Sequence, residues 1–258
     1  MEGWEFATAG RNVRFSKKTG LALLGLFLAM SGFFLFDAAY NGNFISKSVA
    51  VQTRITAHRG SSSGAPENTM AALEKAVEEM ADRAEIDVQE TADGVIVLCH
   101  DTSLKRVAGV NKKVSDLTLE QIKKLDVGSW FSSEYQGEQI PTLEEVMEYA
   151  KGKIDLNIEI KNLGNSSGLP EKVIELVEKH EMQEQCVITS TNRFYLKRVK
   201  AVNPEIRTGY IISAAYGNFY SDEFIDLISI RSSFVTERMI ESAHEAGKAV
   251  HAWTVNGK

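Results

Sequence analysis

The chain has 258 residues and a net charge of −6, with 43% hydrophobic and 25% charged residues. That composition supports a sizeable core and excludes a disordered chain, and the acidic balance argues against a nucleic-acid partner because no basic stripe offsets phosphate repulsion. Two cysteines, Cys99 and Cys186, are too few for a disulfide framework and read as free, buried thiols in separate strands.

Residues 1–19 are polar and carry Arg11, Arg14, Lys17 and Lys18 ahead of an apolar stretch. Gly20 to Ala39 reads GLALLGLFLAMSGFFLFDAA, with Asp37 its one charged residue. About 20 residues of helix at ~1.5 Å rise match a ~30 Å hydrocarbon core, so 20–40 is expected to be a single transmembrane anchor. The basic flank predicts a cytoplasmic start, with everything after about residue 40 on the extracytoplasmic side of the cell membrane. A cleaved signal peptide competes, but the leading polar stretch is long and no small-x-small site follows. A buried core helix is the third option. Residues 41–53 form a linker to a main domain over 54–258.

From Arg54 onward β-branched runs alternate with amphipathic stretches. Strands are expected at 54–58, 85–89, 95–100, 154–160, 186–189, 208–212, 227–230 and 249–255. Helices are expected at 69–81, 118–125, 142–150, 170–180, 192–202 and 236–246. Strand–helix alternation indicates a parallel sheet or a TIM-barrel-like (β/α) barrel. One early interruption, EIDVQETADGVIVLCHD, reads as a β-hairpin turning at Asp93-Gly94. With a two-residue turn Ala92 opposes Val95 and Asp87 opposes His100. Glu85 and Asp87, two apart, then share a face with His100.

Polar residues gather at strand ends. His58 and Arg59 close the first strand, the hairpin supplies Glu85, Asp87, His100 and Asp101, and Glu159 with Lys161 closes LNIEIK. Strand ends converge on the mouth of a (β/α) barrel, and carboxylates inside apolar strands are costly without a counter-ion. Glu85, Asp87 and Glu159 offer only oxygen donors, which favours a hard divalent cation, Mg²⁺ or Ca²⁺. Two imidazoles suit acid–base work near neutral pH. Arg59 and Lys161 add positive charge for a phosphate, and the set together reads as phosphoryl transfer.

The motifs ITAHRG, APENT, EIDVQETADG, VIVLCHD, DVGSWF, IPTLEEVM, LNIEIK and HAWTVN follow one another in this order. The ordered set resembles the glycerophosphodiester phosphodiesterases over roughly residues 54–256. The resemblance implies a TIM-barrel-like fold and metal-dependent hydrolysis of small-molecule glycerophosphodiesters. On the matching positions, His58 and His100 would be the acid–base pair, Glu85, Asp87 and Glu159 the metal ligands, and Arg59 and Lys161 the phosphate contacts. Glu67, in PENT, is either a site residue or a support of the first loop; Asn68 or Thr69 reads as the helix N-cap. Trp130 and Phe131 either cover the glycerol end of a substrate or plug the excursion between His100 and Pro141. Trp253 either lines the mouth or packs in the core. His180, His244 and His251 stand outside any cluster and read as structural or surface residues.

The chain departs from the family pattern at Asn256-Gly257-Lys258, where members continue with a helix and a strand reading like GIITDxP. An incomplete C-terminal end, with two exposed sheet edges, is therefore expected. Two rival functions remain: a phospholipase C- or D-like enzyme acting on intact membrane lipids, and a non-catalytic module binding phosphodiesters or polyol-phosphate polymers. The oligomeric state is not encoded in any motif.

Overall fold

The structure is a computed structural model describing residues 4–8, 11–41, 53–161, 168–213 and 219–255, with side chains over 16–32 and from 53 onward. The chain divides into two compact units, 1–50 with 236–241, and 51–235 with 242–258. The first holds an antiparallel pair, β1 (Trp4–Thr8) and β2 (Arg11–Phe15), and a helix, α1 (Lys17–Asn41). The apolar stretch is thus helical, as expected. No helix is long and apolar enough to cross a membrane among the described residues. The expected linker over 41–53 lies almost wholly outside the described residues.

The second unit follows the predicted alternation. Its strands are β3 (Thr56–Ala57), β4 (Arg83–Glu90), β5 (Ile96–Leu98), β6 (Asp155–Ile160), β7 (Cys186–Ser190), β8 (Arg207–Ile212), β9 (Leu227–Arg231) and β10 (Ala249–Trp253). Between them come α2 (Met70–Glu78), two short helices α3 (Lys105–Ala108) and α4 (Leu119–Ile122), then α5 (Leu143–Ala150), α6 (Leu169–Lys179) and α7 (Arg193–Val202), while α8 (Glu237–Glu245) is divided between the two units. The sheet order is β10-β9-β8-β7-β6-β4-β3, all parallel, with β5 antiparallel on β4. It is a curled, half-barrel version of the TIM-barrel-like α/β fold. Among the described residues its end strands β10 and β3 do not pair.

Strand parity decides what the sheet buries. Ala84, Ile86 and Val88 of β4, Leu156, Ile158 and Ile160 of β6, and Cys186 and Ile188 of β7 belong to one apolar core. Helices cover that face, with Leu73 and Ala76 of α2, Val146 and Met147 of α5, and Val173 and Val177 of α6 at helical spacing. The alternate residues, Arg83, Glu85, Asp87 and Gln89 on β4 and Asp155, Asn157 and Glu159 on β6, face the other side, the lumen. Thr189 Oγ1 donates to Asn157 Oδ1 at 2.9 Å there. Thr142 caps α5 in a capping box with Glu145, and Thr69 caps α2.

The hairpin register differs from the expected one by a residue. Its loop holds three residues, Ala92, Asp93 and Gly94, with Thr91 N donating to Val95 O at 2.9 Å and Gly94 N to Thr91 O at 3.0 Å. Gly94 takes φ 83°, the left-handed conformation that closes this three-residue turn. Val88 therefore pairs with Leu98, and Cys99 N donates to Asp87 O at 2.9 Å, so Cys99 and not His100 stands opposite Asp87. β5 ends at Leu98, and beyond it Gln89 Nε2 holds Cys99 O and Asp101 O at 2.7 and 2.8 Å. The chain turns there, which frees His100 from the strand alternation. A second apolar cluster, including Val97, Leu104, Val107, Val114 and Ile140, packs the excursion after His100.

Candidate active site

Parallel strands place Asp87 beside Glu159 in register, with Glu85 one pleat below. One oxygen from each of Glu85, Asp87 and Glu159 lies within 4.8 Å of the others. Asp87 is fully buried, and Asn68 bonds it twice: Asn68 Nδ2 donates to Oδ2 at 2.8 Å, and Asp87 N donates to Asn68 Oδ1 at 3.0 Å. Asn68 is thus an orienting partner of the carboxylate, while the N-cap is Thr69 alone. Asp87 Oδ1 is buried with no hydrogen-bond partner, although Lys161 Nζ stands 3.3 Å away. Lys161 instead donates to Glu159 Oε1 at 2.8 Å.

The charges respond to one another. Burial, then Asp87, pushes the Glu85 carboxyl well above the usual range, and burial with Asp87 also raises Glu159. Burial pushes Asp87 the same way, but Lys161, His100, Asn68 and Arg59 outweigh it and hold Asp87 low. An orphaned buried oxygen amid three carboxylates, two of them driven toward their protonated forms, fits a hard divalent cation.

The loop after β3 supplies His58 and Arg59. His58 Nε2 lies 3.9 Å from Glu85 Oε2, and burial, then the Arg59 charge, lowers its pKa. Arg59 N donates to Glu85 Oε2 at 2.8 Å, and Gly60 N to Glu85 O at 2.8 Å. Arg59 Nη1 donates to Glu67 Oε1 at 2.9 Å, and Nε lies 3.8 Å from Asp87 Oδ2. Arg59 and Asn68 both adopt left-handed backbone, φ 54° and 55°. Strain of this kind, about 1–3 kcal/mol per residue, is held by the bonds just named. Gly60, at φ 76°, leaves no room for a Cβ, which would sit 2.7 Å from that of Ala72.

His100 Nδ1 lies 2.7 Å from Asp101 Oδ1, which directs Nε2 to any other partner. Asp101 is held down to about 2 by its hydrogen bond from Arg106, with His100 adding to it against some desolvation. Arg106 also donates to both oxygens of Glu67 at 2.8 and 2.7 Å. Arg106 carried no signal in the sequence, because the one-turn helix α3 that bears it is too short for a periodic pattern. Trp130 is 42% exposed, so it is not the plug of the excursion. It packs edge-on against Phe131 at 5.9 Å and lies 5.5 Å from the Arg106 guanidinium, while Phe131 contacts Tyr135, whose hydroxyl donates to Gly64 O at 2.9 Å. Trp253 ends β10 at the same end of the sheet as Glu159, its Nε1 buried without a hydrogen-bond partner. Cys99 and Cys186 are free and buried, with both thiols pushed up to about 12 by burial. His251 is structural, and it does have charged company: its Nε2 lies 3.1 Å from Arg83 Nη1.

Residues 58–258 match the Glycerophosphoryl diester phosphodiesterase family. The chain belongs to this family. A glycerophosphodiester phosphodiesterase of Caldanaerobacter subterraneus is 35% identical over 213 residues, covering 81% of this chain and 88% of that protein. A phosphodiesterase of Oleispira antarctica, solved in complex with the product sn-glycerol-3-phosphate, has the same fold at a TM-score of 0.75 and 34% identity, over 80% of this chain and 85% of that one. Human lysophospholipase D GDPD3 is 31% identical over 63% of this chain and 52% of its own length. The chain is accordingly an enzyme, a glycerophosphodiester phosphodiesterase, and not a silent binding module.

Proposed function

We propose that this chain cleaves glycerophosphodiesters to an alcohol and glycerol 3-phosphate, with a divalent cation on Glu85, Asp87 and Glu159 and with His58 and His100 as the acid–base pair. The supporting observation is that one oxygen from each of those carboxylates lies within 4.8 Å of the others, and that buried Asp87 Oδ1 takes no hydrogen bond, with Lys161 Nζ 3.3 Å away. Their all-oxygen chemistry suits Mg²⁺ or Ca²⁺. A cation bound there supplies Lewis-acid neutralisation of the non-bridging phosphate oxygens. Arg59 and Lys161 add positive charge beside it, and a phosphate at the mouth shares them with Glu67, Asp87 and Glu159. One imidazole takes the proton of the nucleophile, and the other protonates the departing alkoxide, a poor leaving group until protonated. The nucleophile is water or a neighbouring glycerol hydroxyl; only the second yields a cyclic phosphate on the way.

Product analysis over a panel of glycerophosphodiesters, with Mg²⁺, Ca²⁺ or chelator, tests this reading. Chelator is expected to abolish release of glycerol 3-phosphate, and His58→Ala and His100→Ala are each expected to cost at least ~100-fold. Turnover that survives chelation, or either substitution, overturns it.

A second reading, action on intact or lyso-lipids, is favoured by the likeness to human lysophospholipase D GDPD3. Headgroup release from lipid vesicles, without turnover of soluble diesters, would establish it in place of the first. We place the chain at the cell membrane, with α1 as its anchor and residues 51–258 on the extracytoplasmic side. Support comes from Leu21, Leu23, Leu24, Leu26, Phe27 and Leu28, each at least half exposed on α1, and from the basic residues preceding it. Release of the full chain by alkaline carbonate would refute the anchor.

A further inference from the structure

We infer that Arg106 is a positioning residue for the hydrolysis, a clamp that fixes the loop carrying His58 to the loop carrying His100. The inference rests on the two-histidine reading above.

The two imidazoles arrive on separate loops. His58 and Arg59 belong to the segment running from β3 to α2, which also carries Glu67. His100 and Asp101 belong to the excursion after β5, which continues into α3 and Arg106. A proton accepted by one imidazole and delivered by the other requires both to face one phosphorus, so the spacing of these loops is part of the chemistry. The core beneath each loop does not set that spacing alone, because the excursion packs in its own apolar cluster.

The guanidinium of Arg106 spans the gap. Its Nε donates to Asp101 Oδ2 at 2.7 Å, and Nη1 and Nη2 donate to Glu67 Oε2 and Oε1 at 2.8 and 2.7 Å. The chain of bonds continues at both ends. Asp101 Oδ1 meets His100 Nδ1 at 2.7 Å, and Glu67 Oε1 receives Arg59 Nη1 at 2.9 Å. Arg59 N in turn donates to Glu85 Oε2, the oxygen 3.9 Å from His58 Nε2. A planar fork on two carboxylates fixes direction as well as distance, which the point charge of a lysine does not. Glu67 is only 10% exposed and Arg106 40%, and the Trp130 ring 5.5 Å from the guanidinium adds a cation–π contact. Arg106 lies on the outer side of this chain of bonds and touches neither the carboxylate triad nor an imidazole in the interactions described, so its part is exercised through Asp101 and Glu67.

The test measures kcat, KM and Tm of the full chain on glycerophosphocholine with saturating Mg²⁺. Arg106→Gln is expected to lower kcat about 10- to 100-fold, with KM within about threefold of the parent. Combining it with Glu67→Gln is expected to cost no more than the larger single loss, because both break one chain of bonds. Arg106→Lys keeps the charge and the stem but not the fork, and is expected to recover less than half of the lost kcat. A folded Arg106→Gln enzyme with kcat within twofold of the parent, or a loss confined to KM, overturns the inference. Should Arg106→Gln fail to fold, Arg106→Lys decides, and parental kcat in it counts against the clamp. His100→Ala separates the two readings: retained turnover sinks the acid–base assignment itself, whereas an inactive His100→Ala beside a parental Arg106→Gln sinks the clamp alone.

Discussion

The lumen of the sheet has two charged ends built by the same strands, and they solve opposite problems. Midway along β4 and at the end of β6, Glu85, Asp87 and Glu159 crowd negative charge around Lys161. At the N-terminal end of the same strands, Arg83 meets Asp155 at 3.6 Å and His251 at 3.1 Å, with Arg207 close enough to add repulsion. Burial, then Arg83 and Arg207, drives His251 down to about 4, so near neutral pH the imidazole is uncharged and accepts from Arg83. Burial and like-charge crowding shift titration at each end, raising Glu85 and Glu159 and lowering His251. Only the carboxylate end gathers three oxygen-donor side chains suited to a hard cation; at the other end Asp155 is already shared between Arg83 and Arg54. Buried charge alone therefore does not mark an active site. The sign of the imbalance and the orphaned acceptor Asp87 Oδ1 do.

Substituting an acid at each end gives the sharpest contrast. Asp87→Asn is expected to lower kcat/KM by about 10³-fold or more, since it removes the negative charge of a proposed cation ligand. Asp155→Asn is expected to leave kcat within about threefold. Equal losses of activity at the two ends would break the distinction.

Metal binding tests the same contrast through stability. Mg²⁺ or Ca²⁺ at about 100 times its Kd is expected to add roughly 2.7 kcal/mol to the unfolding free energy of the parent chain and nothing to Asp87→Asn. Calorimetry at fixed pH would show it, and equal Tm gains in both would move the site elsewhere. Asp155→Asn is then expected to cost about 1–3 kcal/mol in urea unfolding, because it leaves the guanidinium of Arg83 buried beside His251 without its counter-ion.

The pH dependence is assigned to the arginine end. His251 binds its proton in the unfolded chain near pH 6.5 but in the folded chain only near 4. Between those values the unfolded state carries more protons, so stability falls as pH drops, by at most about 1.4 kcal/mol per unit from this group. His251→Gln is expected to flatten that slope in urea midpoints taken between pH 6.5 and 4; an unchanged slope would remove His251 from the account. The smallest effect lies outside both ends. Thr142→Ala, which removes the N-cap of α5, is expected to cost about 1 kcal/mol with activity unchanged.

What the sequence determined by itself was whatever is local. Alternation along EIDVQE put Glu85 and Asp87 on one face before any coordinates, and Glu159 was read at the end of its strand, because a pleated strand has a period of two; the structure gathers all three and puts Ile86 and Ile158 in the core. Thr69 was one of two cap candidates for the start of α2, and the expected helix over 142–150 placed the start of α5 within a residue of the observed one. The tertiary structure decided the rest. One extra loop residue at Ala92–Gly94 shifted Asp87 onto Cys99, and His100 reached the site only because the chain turns after Leu98. Asn68 on Asp87, Arg106 on Glu67 and His251 on Arg83 join residues 19, 39 and 168 positions apart. Such pairings depend on how far the sheet curls and how each loop closes, and no periodicity along the chain encodes either distance.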